Sequence, residues 1–278
     1  MATTAQSHRR GTAQLALRTA GSFVQIASDA VAERFGRALP RTKEQLANAD
    51  VLNDLIERNT PTGQVRLPKI RSVRLPGVDF ESSNCTNFLV ELDFEEGATE
   101  TAEGRPLPKT VYVKLPCEEL TTRSFANTLG FWPLESIFCQ RVASQIPIRV
   151  PRVYAAAQKG SRFVLLLENL HEIPGARLFI NRDMAAGTTA ERAERVLRSF
   201  AEMHAHFWDW SETEREALLP AEFNTFTAPK WREVTRALNA SALAPAMKAA
   251  PELISKELGE TYRLAIERWD RLLEAWYQ

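Results

Sequence analysis

A change of hydrophobic period constrains this chain more than any other feature. Over residues 87–94, Phe88, Val90, Leu92 and Phe94 alternate with Asn87, Glu91 and Asp93, which predicts a strand with one apolar and one polar face. Residues 110–115 repeat the pattern, with Val111, Val113 and Leu115 on one side and Tyr112 and Lys114 on the other. Further strands are predicted over 70–75, 150–155 and 163–168, the last two joined by a Gln158-Lys159-Gly160-Ser161 turn. A helix over 134–146 separates the two groups of strands, with Leu134, Ile137, Phe138 and Val142 on one stripe. After Pro174 the period is helical almost throughout, interrupted at Pro220, Pro229, Pro245 and Pro251. Three strands, a helix, two strands and then helices alone predict an α+β fold and exclude an alternating βαβ sheet.

Upstream of the strands, Thr42 and Gln45 stand at capping-box spacing. A helix through Leu46, Val51, Leu52, Leu55 and Ile56 is expected to follow and to stop before Pro61. Phe23, Ile26, Ala27, Ala30, Val31 and Phe35 fall at helical spacing, which predicts a mobile tail leading into an amphipathic helix that ends by Pro40. Arg9, Arg10 and Arg18 precede the first acidic residue, Asp29, a composition that also suits a transit peptide.

Thirty-five basic and thirty-five acidic residues cancel, so the chain lacks the basic field of a nucleic-acid binder. The longest apolar run, residues 163–167, is far short of the ~20 residues that span a bilayer. Cys85, Cys117 and Cys139 lie far apart with no CxxC pair, which fits a reducing, cytoplasmic setting and neither a zinc site nor a disulfide framework. No GxGxxG, GxxxxGK[ST], HExxH or GxSxG is present. His204 falls on the apolar stripe of a helix and is expected in a core, while His206 points about 200° away around the same helix, so the two cannot converge on one metal.

Three features stand in an order that suits nucleotide handling. Lys114 occupies the polar face of a short strand, where its amine can reach phosphates lying under the sheet. Glu135, at the start of the following helix, is placed to pair with that ammonium and orient it. The apolar 163–168 strand then runs through Glu168, Asn169 and Leu170 into the helical region, offering backbone donors and acceptors to the edge of a base. Each feature alone also fits an ordinary surface residue or connecting strand.

Taken in sequence, Ser82-Ser83-Asn84-Cys85-Thr86-Asn87-Phe88, Val113-Lys114-Leu115-Pro116, Glu135 with Phe138, Val150-Pro151-Arg152-Val153-Tyr154, Leu166-Leu167-Glu168-Asn169-Leu170 and the 201–208 helix resemble the protein-kinase-like fold. The closest likeness is to the aminoglycoside phosphotransferases and their choline- and ecdysteroid-kinase-like relatives, over residues 42–210. The resemblance implies a small antiparallel-sheet N-lobe with one main helix at 42–170, preceded by a tail and helix at 1–41 and followed by an incomplete helical C-lobe at 171–278. It implies ATP as cofactor and a small-molecule hydroxyl as phosphate acceptor. Lys114 would bind the α/β-phosphates, Glu135 would hold Lys114, and Glu168, Asn169 and Leu170 would line the adenine hinge. The Ser82–Asn87 loop, with Ser82, Ser83 and Asn84 as its candidate contacts, would cover the phosphates in place of a glycine-rich loop. Tyr112 departs from the pattern, because a small residue is usual beside the adenine.

The family also carries a His-Gly-Asp stretch with a following Asn and a later Asp, which supply the base and the Mg²⁺ ligands, and no His-Gly-Asp occurs here. The resemblance therefore implies a chain truncated before its catalytic loop and inactive alone. Leu258, Tyr262, Ile266, Trp269, Leu273 and Trp276 form an apolar stripe without an evident cover, which points to self-association. Two other readings stay open: a non-catalytic kinase-fold module that docks a partner, and an unrelated α+β protein. Trp208, Trp210 and Trp231 are candidates for an acceptor pocket or, at helical spacing, for core.

Overall fold

The computed structural model describes residues 2–179, 183, 186–220 and 229–276. Its centre is an antiparallel sheet of β1 (Ile70–Arg74), β2 (Asp79–Phe80), β3 (Cys85–Phe94), β4 (Thr110–Pro116), β5 (Val153–Lys159) and β6 (Arg162–Glu168). The strands follow the order β1-β3-β4-β6-β5, with β2 added against β3, and every pair is antiparallel. The two-residue β2 escaped the sequence reading because so short a segment shows no period.

Alternation along the strands creates two faces, and both are packed. Phe88, Val90, Val111, Val113, Leu115, Val164 and Leu166 meet Leu46, Leu52, Leu55 and Ile56 of α2 (Lys43–Leu46) and α3 (Ala49–Asn59). On the opposite face, Cys85, Phe163 and Leu165 pack with Ala126 of α4 (Leu120–Leu129), Trp132 of α5 (Phe131–Ile137) and Cys139 of the π-helical turn Phe138–Val142. A sheet covered on both sides explains why β6 reads as an unbroken apolar run rather than an alternating one.

Local chemistry moves several helix boundaries from their expected places. The Thr42 and Gln45 capping box forms, but the helix stops at Leu46 and restarts because the Asn48 side chain accepts from the Asp50 and Val51 N–H groups. The helix expected over 134–146 instead begins at Phe131, and its buried stripe is Trp132, Ser136, Cys139 and Val142. Before it stands α4, whose buried face includes Ser124, Ala126 and Thr128, residues too small and polar to advertise a helical stripe. Glu119 caps α4 by accepting from the Thr121 and Thr122 N–H groups, and the Thr122 hydroxyl together with those N–H bonds holds its carboxyl down at about 2. Gly130, at φ +71°, takes the left-handed conformation that separates α4 from α5.

The expected mobile tail is helical. Helix α1 (Ala2–Arg34) is continuous, and its packed face keeps only Ile26 of the large apolar residues on the stripe: Gly11, Ser22 and Ile26 are buried while Phe23, Val31 and Phe35 are exposed. Polar contacts replace apolar ones there. Ser22 Oγ donates to the Ser124 carbonyl at 3.0 Å, and Asp29 accepts from both the N–H and the hydroxyl of Ser161. The buried Arg162 guanidinium donates to the Leu39 and Asp29 carbonyls and to Glu33. Farther up, α1 lies against α8 (Pro229–Ala249) so closely that a Cβ at Gly11 would run into the Glu233 carbonyl. Arg18 sits 3.8 Å over the ring of the buried Trp231.

The remaining helices are α6 (Ala190–Trp208), α7 (Glu212–Leu218), α9 (Lys256–Glu267) and α10 (Trp269–Trp276). Helix α6 is strongly amphipathic, yet Val196, Leu197, Phe200 and Trp208 are exposed, and so is His204, which the stripe had placed in a core. Among the described residues no helix or strand packs closely over that face; Val196 and Leu197 instead line a cavity shared with Phe179. None of the described helices is long and apolar enough to cross a membrane.

Candidate functional site

The strand register brings the predicted residues to one face of the sheet. Lys114 on β4 stands directly opposite Asn87 on β3 and Leu165 on β6. Its ammonium pairs with the Glu135 carboxylate from α5. Glu135 stands on the second helix after Lys114, not the first, because α4 intervenes between β4 and α5. The two side chains are 20% and 35% exposed, so the pair borders solvent. An ion pair so placed contributes only about 0–1 kcal/mol to stability. Its consequence is the positioning of one amine.

Along β4 the sheet has a direction. Val111 pairs with Glu168 at the hinge end, and Pro116 pairs with Cys85 next to the 82–84 loop at the other. Lys114 lies between them, three residues or about 10 Å along the strand from the hinge register. Ser82 and Ser83 are exposed, and Asn84 is half-buried, its Oδ1 accepting from the Cys85 thiol at 3.4 Å. These loop residues lie beyond Lys114, on the side away from the hinge.

The hinge residues are held by their own side chains. Glu168 turns its carboxylate to Arg149 at 2.6 Å, to the Arg152 guanidinium at 3.4 Å and to the Arg152 N–H at 3.0 Å. Asn169 donates to Thr110 Oγ1 at 2.7 Å and accepts from the His171 N–H at 3.1 Å. Leu170 opens a 3₁₀ turn to Glu172, whose carboxylate accepts from the Thr110 N–H at 2.8 Å and the Lys109 N–H at 3.2 Å. The segment is thereby clamped to the start of β4, and the Glu168 side chain serves the arginines, not the Lys114 face.

Two residues of this face, Phe80 and His171, were not among the sequence candidates. Tyr112, flagged as unusual, packs on Phe80 with ring centroids 5.1 Å apart, and Phe80 stacks on His171 at 5.6 Å. The three rings form an aromatic layer between Lys114 and the hinge, and burial pushes the Tyr112 hydroxyl up to about 12. Asn87, the last residue of the loop expected over the phosphates, also stands beside Lys114. It is 7% exposed, and its Oδ1 is buried with no hydrogen-bond partner among the described residues. An orphaned acceptor of this kind costs about 1–3 kcal/mol. The alternation of β3 had already put Asn87 on the Lys114 side; what it could not show is that this side is buried at that position.

Burial also raises the thiols near the pair, Cys85 to about 11 and Cys139 to about 12, so both stay protonated at neutral pH. No cluster of His, Cys, Asp and Glu suited to a metal occurs among the described residues. The three candidate tryptophans do not meet in one pocket. Trp231 is core, Trp208 is exposed on α6, and Trp210 lines a cavity of about 540 Å³ with Gln140, Arg141 and Glu214. A second cavity of about 930 Å³ lies between residues 175–179 and α6, lined by Arg177, Phe179, Arg192 and Arg195. Compared with known proteins, the chain matches no family model, no curated protein and no solved structure.

Proposed function

We propose that this chain carries the nucleotide lobe of an ATP-dependent small-molecule phosphotransferase of the protein-kinase-like fold. The observation that supports this most is the Lys114–Glu135 pair, formed from a central strand to a neighbouring helix and bordering solvent between the hinge and the 82–84 loop. A lysine on the third main strand held by a helix glutamate is the arrangement that positions an amine on nucleotide phosphates. Lys114 neutralises phosphate charge, Glu135 fixes its direction, and the aromatic layer at Tyr112 offers a stacking surface for the base. The hinge then contributes the N–H groups of Asn169 and Leu170, since the side chains of Glu168 and Asn169 and the Glu168 N–H are engaged elsewhere.

Transfer of a γ-phosphate to a hydroxyl also needs a carboxylate near the acceptor and ligands for Mg²⁺. The donors seen on this face are an amine, an amide, thiols held protonated and a carboxylate already paired, a set that fits phosphate and not the metal. With no His-Gly-Asp in its 278 residues, this polypeptide binds ATP without transferring its phosphate. The scattered free cysteines suit a reducing, cytoplasmic setting.

Calorimetry on the 278-residue chain tests the reading. ATP is expected to bind, and Lys114→Ala to weaken binding at least tenfold, with no phosphorylation of amino alcohols. Equal binding by the variant, or none by the wild type, removes the nucleotide reading. Phosphotransfer abolished by Lys114→Ala would place the acceptor base within this chain.

A second reading, a non-catalytic kinase-fold module, is favoured by one observation. Among the described residues, Val196, Leu197, Phe200 and Trp208 of helix α6 are exposed, an apolar face suited to a partner. Stable self-association without nucleotide binding would support it.

A further inference from the structure

We propose that the cavity between residues 175–179 and α6 is a second binding site, which takes an anionic amphiphile: an apolar body carrying a carboxylate or phosphate head. The assignment uses none of the residues of the Lys114 face and does not depend on the nucleotide reading. Size is the first ground. A volume of about 930 Å³ falls within the ~300–1,000 Å³ typical of organic-ligand sites, and a bare ion would leave most of it unfilled. The lining side chains are exposed or half-buried, so a ligand reaches them from solvent.

Charge is the second ground. Arg177, Arg192 and Arg195 line the cavity against a single acid, Asp183. None of the three guanidiniums is ion-paired among the described residues, and Glu194, beside them on α6, is held by Arg198 at 2.7 Å. Phe179 gathers two of them, with Arg192 4.7 Å and Arg177 6.0 Å from its ring centroid. A guanidinium resting against a ring keeps its N–H fork for an oxyanion, and that fork matches a carboxylate or a phosphate in two bonds. The 540 Å³ cavity, by contrast, sets one arginine, Arg141, against one acid, Glu214, and carries no such excess.

The third ground is apolar surface inside the same space. Phe179, Val196 and Leu197 line it and are 49%, 54% and 67% exposed. Arg192, Arg195 and Val196 stand at i, i+3 and i+4 on α6, so one helix face presents cationic and apolar groups together. An inorganic anion would answer the charge and leave this surface wet. An apolar body covers it, and an anionic head keeps that body where the arginines are.

Calorimetric titration of the full chain tests the assignment, with octyl phosphate, octanoate, octyltrimethylammonium and inorganic phosphate below micellar concentrations. The proteins are the wild type, Arg192→Gln, Leu197→Ser and Phe200→Ser; Phe200 is exposed on α6 but does not line the cavity. One or both octyl anions are expected to bind the wild type at least tenfold more tightly than the ammonium or inorganic phosphate. Arg192→Gln should weaken that binding about tenfold, the worth of a charge-assisted hydrogen bond. Leu197→Ser should weaken it about three- to fivefold, and Phe200→Ser should leave it in place. Inorganic phosphate binding as tightly as octyl phosphate would reduce the site to an adventitious ion only and overturns the proposal. Equal binding of the ammonium, or equal losses in Phe200→Ser and Leu197→Ser, would show general adhesion to the apolar face of α6 and overturns it as well. So does failure of both octyl anions to bind, or binding that Arg192→Gln leaves unchanged. Should a variant not fold, the four-ligand series on the wild type decides alone.

Discussion

The sheet and helix α6 are built from similar apolar residues, and only one of them buries what it carries. Val113, Leu115 and Leu165 are fully enclosed between α3 on one side and α5 on the other, whereas Leu197 is 67% and Trp208 77% exposed. An amphipathic pattern states which face would be buried; it does not supply the cover. Strand alternation in β3 and β4 met two packed layers, and helical periodicity in α6 met none among the described residues.

The sharpest way to break that contrast is a pair of matched truncations. Leu165→Ala should lower the unfolding free energy by about 3–5 kcal/mol, and Leu197→Ala should change it by less than about 0.5 kcal/mol. Urea denaturation followed by circular dichroism measures both. A large loss at Leu197 would mean that α6 is covered in solution.

A smaller effect concerns how α1 is attached. Glu33 accepts from Arg162 and Gln45, and these bonds hold its carboxyl below the usual value of 4.5. A carboxyl lowered by folding adds stability that is complete above that value and is lost as pH falls through the folded one. Glu33→Gln should therefore cost about 1–3 kcal/mol at neutral pH, by leaving the buried guanidinium short of its counter-ion, and the difference should shrink in acid. A pH series of urea midpoints for the two proteins checks the sign. A constant difference would show that the ion pair plays no part.

Caps should matter less, and differently in the two regions. Asn48→Ala should cost about 1 kcal/mol of global stability, because α3 is welded to the sheet core. Thr189→Ala at the start of α6 should speed amide exchange locally in the first turn while leaving the global midpoint in place. The smallest expected effect is chemical. Cys117, which is only half-buried, should be alkylated before Cys85 and Cys139, whose thiols burial pushes to about 11 and 12.

These contrasts show what could be read from residues alone. Val111, Val113 and Leu115 against Tyr112 and Lys114 gave the correct facing of β4, because a period of two leaves no ambiguity about side. Helix α4 escaped because Ser124, Ala126 and Thr128 pack through small size and hydrogen bonds instead of apolar bulk. For the same reason the packed face of α1 was misread: Gly11, Ser22 and Asp29 make close or polar contacts, which hydrophobic spacing does not register. In the candidate site, the Lys114 and Glu135 partnership could be anticipated from residue type and order. The Glu168 carboxylate went elsewhere because Arg149 and Arg152, distant from any motif, compete for it. Asn87 was visible as a polar residue on the right face, and its burial is what three dimensions alone supply.

The nucleotide reading reduces to which amine meets the phosphates, and an ATP-derived acyl phosphate reports that directly, since it transfers its acyl group to the nearest lysine as ATP departs. Peptide mass spectrometry after brief labelling of the chain should find Lys114 acylated ahead of Lys43, Lys109 and Lys159, with the label suppressed by excess ATP. Labelling that favours those other lysines, or that ATP fails to suppress, would contradict the assignment of this face to a nucleotide.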